Sequence, residues 1–97
     1  DNEFQTEGPR LKDTMNEDDF ARLPLTLKYL YTIPIQNNYR VWLAVGMALK
    51  KCGYPQEEWE KWSRLGPKYR IGECDIYNGF RDSGVAYNER SIRRWAK

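Results

Sequence analysis

The sequence predicts an all-α fold: a small bundle of five helices behind an acidic N-terminal arm that is disordered or loosely attached. Three observations carry this. Apolar residues recur at i, i+3, i+4 spacing in successive segments punctuated by Gly, Pro and Asn. No alternating β-branched run bounded by hairpin turns occurs, and no internal repeat or low-complexity tract. Four Trp, seven Tyr and three Phe in 97 residues give one core enough bulk, each ring burying roughly 150–250 Å². A chain so rich in aromatics folds.

The arm is taken as residues 1–20 and the bundle as 21–97. Residues 1–17 (DNEFQTEGPRLKDTMNE) are polar, acidic and broken by Gly8-Pro9, as in a linker. Asp18-Asp19-Phe20 is the point where order can begin. The first helix starts near Pro24, which the first turn tolerates, shows Leu27, Leu30 and Tyr31 on one face, and stops at Pro34. Asn37 or Asn38 caps the second, from about Tyr39 to Cys52, and Gly53 ends it. Val41 to Leu49 leaves this helix almost no polar face, which makes it the buried centre. Gly46 within it costs roughly 1 kcal/mol relative to Ala, a cost understandable if another helix crosses there.

The third helix has Pro55 in its first position, Gln56, Glu57 and Glu58 in its first turn, and Trp59 and Trp62 on one face. Gly66-Pro67 follows. The fourth covers Gly72 to Phe80 with a Cys74, Tyr77, Phe80 stripe. After a turn at Asp82-Ser83-Gly84, Asn88 caps the last helix, whose Ile92, Trp95 and Ala96 face inward. Trp42, Val45, Leu49, Trp62, Phe80 and Trp95 are expected to share one core.

The net charge of +2 hides a division. Residues 1–20 carry seven acids against Arg10 and Lys12, a net of −5; residues 21–97 carry fourteen Lys/Arg against seven acids, a net of +7. A basic body points to a polyanionic partner, or is an ordinary solvated surface.

The chemistry of a catalytic centre is missing from the composition. There is no histidine, so neither His-based acid–base catalysis nor a His-activated nucleophile is available. Cys52 and Cys74 are too few for a four-ligand zinc site; they read as buried thiols, or else as a disulfide. Two-metal polymerisation needs paired carboxylates, whereas Glu17-Asp18-Asp19, Glu57-Glu58 and Glu73-Cys74-Asp75 read as solvated or dipole-complementing acids. No phosphate-binding Gly-rich loop occurs. The expectation is a non-enzyme with no cofactor or metal of its own. The acidic start lacks a signal peptide's basic and apolar regions, and Val41–Leu49 is far short of the roughly twenty residues of a membrane span. Cytoplasmic location without a membrane partner is expected.

Read together, Tyr39-x-x-Trp42-x-x-Val45-Gly46-Met47-Ala48-Leu49-Lys50, then Trp62-Ser63, Lys68-Tyr69, Cys74-x-x-Tyr77-x-x-Phe80 and Trp95-Ala96 resemble the primase C-terminal type-two domain. This helix bundle follows the catalytic domain in primase-polymerases of phages, plasmids and other mobile elements. The resemblance covers about residues 25–97 and departs at Tyr77, where the family favours Trp. It implies a non-catalytic domain that engages single-stranded DNA template to support primer initiation. In some members the initiating nucleoside triphosphate is engaged too, alongside the catalytic domain. The implied partners are template, that catalytic domain and a helicase domain. The alternative is a protein-interaction bundle that docks a catalytic or helicase domain through the same surface.

The candidate binding residues form three groups. Arg90, Arg93, Arg94 and Lys97 lie on the faces of the last helix left by its inward residues. Arg64, Lys68, Tyr69 and Arg70 set cations beside a ring between the third and fourth helices. Lys50 and Lys51 close the central helix. Cations neutralise phosphates and a ring offers a base a stacking platform. The same features also serve as dipole complements and solvated charges, and Tyr69 can equally cap the core.

Overall fold

The computed structural model describes residues 8–36, 38–67, 69–80 and 87–96, and every regular element among them is helical. In chain order these are a 3-10 helix η1 (Leu11–Thr14), α1 (Glu17–Ala21), α2 (Leu25–Thr32), α3 (Tyr39–Lys51), α4 (Gln56–Ser63), a second 3-10 helix η2 (Glu73–Gly79) and α5 (Glu89–Trp95). The expected Asn37 and the turn at Asp82-Ser83-Gly84 lie outside the described residues.

Helix α3 is the centre, as its apolar run requires. The Asn38 carboxamide oxygen caps it, accepting from the N–H groups of Arg40 (2.9 Å) and Val41 (3.3 Å). At the other end Gly53 has φ 88°. Its N–H donates to the Lys50 carbonyl while the Tyr54 N–H donates to that of Leu49, a Schellman closure. Val45, Ala48 and Leu49 have no exposure.

Helix α4 lies across α3 at Gly46. A β-carbon there would stand 2.5 Å from Trp59 Cε2, so the glycine is what lets the indole ring lie against the helix. This is the close crossing expected at that position. The two fully buried indoles still meet partners: Trp59 Nε1 donates to the Trp42 carbonyl (3.2 Å) and Trp62 Nε1 to that of Ile33 (2.9 Å). Tyr31 ties α2 to α4 by donating to Glu58 at 3.0 Å. Helix α5, opened by Asn88 in a reciprocal capping box with Ser91, packs on α2 and α3 and buries Ile92 completely.

Val45, Leu49 and Trp62 lie deep in the core, whereas Trp42, Phe80 and Trp95 are half-buried and pack against its rim. The fully buried Trp59 takes the central place among the aromatics. The fourth expected helix is a 3-10 helix; its residues 74, 77 and 80 recur every three positions, the period of that helix. The Tyr77 hydroxyl has the partner its polarity demands, the Tyr54 carbonyl. Both cysteines are free thiols, Cys74 buried and Cys52 half-buried.

Within the acidic arm, residues 8–20 include η1 and most of α1. Leu11 is buried in the core cluster, and Met15 and Phe20 pack against it. The Ile35 N–H donates to the Pro9 carbonyl (3.0 Å), and Arg10 Nε to that of Thr32 (2.9 Å). The arm is thus tied to the bundle by Leu11, Met15 and Phe20 and by two hydrogen bonds.

Candidate functional site

A groove of about 440 Å³ opens between the start of α3, the end of α4 and the segment entering η2. Beyond the end of α2, Ile35, Gln36 and Asn38 form one lip. On α3, Tyr39 and Trp42 are one turn apart, with ring centroids separated by 5.6 Å. Tyr39 is 65% exposed. Trp42 is held from two sides: its ring lies on Trp59 at 4.4 Å between centroids, and its Nε1 donates to Ser63 Oγ at 2.7 Å. The anchor is a fully buried indole, so the Trp42 surface is presented in a fixed orientation.

Tyr69 closes the opposite side. Gly66 makes the turn, accepting the Tyr69 N–H on its carbonyl, and the Tyr69 hydroxyl donates to Glu60. That charged hydrogen bond, with burial second, holds the phenol above its ordinary pKa, so Tyr69 is a neutral ring at physiological pH. Arg64 Nη2 lies 4.0 Å from the same Glu60 oxygen. Ile76, 44% exposed, and Glu73 complete the lining from η2.

The expected binding residues divide sharply. Tyr69 lines the groove, and Arg64 and Arg70 stand exposed on the segments leading into and out of the Gly66 turn. Lys68 belongs to the same segment but lies outside the described residues, as does Lys97. Lys50 is engaged internally: its Nζ donates to the carbonyls of Tyr77 and Asn78, each at 3.0 Å, and closes the end of η2. Lys51 is exposed at the end of α3. On α5, Arg93 pairs with Glu89 at 3.2 Å and sits over the Tyr29 ring, while Arg90 and Arg94 are exposed. No α5 residue lines the groove, and of the expected binding residues Tyr69 alone does among the described ones, so the cations of the last helix do not share a site with Tyr69.

Tyr39, Trp42, Glu73 and Ile76 line the groove as well, beyond the binding residues that charge and ring placement in the sequence single out. The signal available was the Tyr39-x-x-Trp42 spacing, an aromatic pair just outside the buried run, but Trp42 was assigned wholly to the core. Among the described residues no group of three or more His, Cys, Asp or Glu could hold a metal ion. No helix among them is long and apolar enough to cross a membrane.

Neither a curated protein nor a solved structure matches the chain. The family model described as Primase C terminal 2 (PriCT-2) matches residues 27–96, which takes in most of α2, all of α3 to α5 and every residue lining the groove. The chain therefore belongs to the Primase C terminal 2 family, the primase-associated C-terminal domains.

Proposed function

We propose that this domain holds single-stranded template for a primase catalytic domain, with bases on the rings of the groove and phosphates on Arg64 and Arg70. The observation that carries the reading is the presence of Tyr39, Trp42 and Tyr69 in one groove bordered by segments that bear exposed arginines. Each base has a π-face, so such rings accept a strand of any sequence, and cations beside them supply the phosphate contacts. The initiating nucleotide presents the same base and phosphates, so it is a further candidate ligand beside the catalytic domain. Primer synthesis in phage, plasmid or other mobile-element primase-polymerases is the setting this reading implies.

The test is fluorescence anisotropy of a labelled single-stranded oligonucleotide titrated with the 97-residue chain at low salt. Binding is expected in the micromolar range or weaker, since one groove offers few contacts. Tyr39→Ala and Tyr69→Ala should each remove a platform worth roughly 1–3 kcal/mol per base. A second reading, docking on a catalytic or helicase domain, draws on the exposed apolar side chains of Ile71 (95%) and Ile76 (44%). No binding of the oligonucleotide at any salt, with Ile71→Ser weakening association with the catalytic domain, would give the case to docking.

A further inference from the structure

The groove is not uniformly suited to a polyanion, because one of its walls carries a carboxylate. Glu73 lines it at the start of η2, half-buried, and among the described residues its side chain has no hydrogen-bond or ion-pair partner. A phosphate would be repelled from that spot. A base edge carrying an N–H group would be attracted, since charge-assisted hydrogen bonds to a carboxylate are about twice as strong as neutral ones. Across the groove the Asn38 carboxamide has its oxygen committed to the N–H groups of Arg40 and Val41. The cap thereby fixes the amide's orientation and leaves its NH₂ as a donor on the groove's lip. The walls are aromatic and the volume suits a small planar ligand.

We infer that the groove seats one unstacked base of the strand and reads its edge, favouring a base with an exocyclic amino group through the carboxylate of Glu73. Cytosine and thymine test the idea, being equal in ring size and differing at this edge in that amino group. Cytosine presents an amino donor beside two acceptors, matching a carboxylate and an amide NH₂. Thymine presents a carbonyl oxygen where cytosine has its amino group, and its one edge donor, N3–H, lies between two carbonyl oxygens that a carboxylate repels. Unpaired bases in single strands are commonly read at this edge while stacked on aromatic rings. The inference rests on the single-strand reading above and adds selectivity to it.

The experiment compares oligodeoxycytidylate and oligodeoxythymidylate of the same length, hence the same phosphate charge, by anisotropy with the parent chain and with Glu73→Gln. The parent is expected to bind the cytosine strand several-fold to a hundredfold more tightly, the range of one good base-edge pair at roughly 1–3 kcal/mol. A glutamine can turn either its oxygen or its NH₂ to the base, so Glu73→Gln should bring the two affinities together, chiefly by weakening the cytosine strand. Circular dichroism of the variant should match the parent. Equal binding of both strands by the parent would overturn the base-edge role while leaving single-strand binding standing. A preference that survives Glu73→Gln would remove Glu73 from it, and failure of both strands to bind would sink the single-strand reading itself.

Discussion

Gly46 stands where the Trp59 ring crosses α3, and the two residues together decide how closely α3 and α4 pack. Alanine would gain roughly 1 kcal/mol of helix propensity, but its methyl would meet three ring carbons at 2.5–2.9 Å. The ring has no room to withdraw, being fully buried with its N–H bonded to the Trp42 carbonyl. Gly46→Ala should therefore destabilise by about 1–3 kcal/mol net, read as a lower urea midpoint; a midpoint at or above the parent's would mean that the helices do not meet there. Tyr77 offers a second test at this scale. Burial, helped by the nearby Cys52 thiol, pushes its hydroxyl up to about 12, against about 10 in an unfolded chain. Between those pH values the folded protein keeps a proton the unfolded chain has lost, so stability falls as pH rises through the window, by roughly 2–3 kcal/mol in all. Tyr77→Phe loses the bond to the Tyr54 carbonyl, about 1 kcal/mol at neutral pH, but escapes this alkaline loss. Urea melts of the pair should converge above pH 10 and then reverse order.

At the scale of elements, what the sequence made legible follows from how local each signal is. Helix α3 is legible to within a residue because its cap, its apolar run and its terminal glycine all lie within or directly beside it. The last helix was legible for the same reason, through Asn88. η2 was located by the 74, 77, 80 stripe but taken for an α-helix; nine residues with a three-residue period do not distinguish the two without the hydrogen bonds. η1 and α1 are held by Leu11, Met15 and Phe20, scattered apolar residues in a polar segment, and no periodicity announces such contacts. The groove was half legible. Tyr69 and its arginines stood out, whereas Tyr39 and Trp42 join them only through tertiary packing of α3 on α4. Lys50 shows the converse: a cation legible as a phosphate contact closes η2 instead. Lys50→Met should cost on the order of 1 kcal/mol in stability and leave the affinity for a single strand, and its salt dependence, as in the parent. A fall in that dependence would return Lys50 to the binding surface.

Across the whole molecule, the positive charge of the bundle is spread over separate surfaces, and among the described residues rings stand beside two of them, Tyr69 in the groove and Tyr29 under Arg93. Arg64 and Arg70 are exposed on the chain segments before Gly66 and after Tyr69, Arg64 with its guanidinium 4.0 Å from Glu60. The α5 arginines lie on an element packed against α2 and α3, one of them already paired with Glu89. Stability and binding should accordingly come apart. Asn88→Ala, which removes the α5 cap, should lower stability by about 1 kcal/mol, with single-strand affinity unchanged wherever the protein remains folded.

The most direct test of the groove as the strand's binding surface is the salt dependence of oligonucleotide affinity in two double variants, Arg64→Ala/Arg70→Ala and Arg90→Ala/Arg94→Ala. Each single-strand phosphate contact contributes about −0.7 to the slope of log affinity against log salt. The groove pair should lose about 1.4 of that slope together with most of the affinity, while the α5 pair keeps both. A slope lost from the α5 pair and kept by the groove pair would contradict the account.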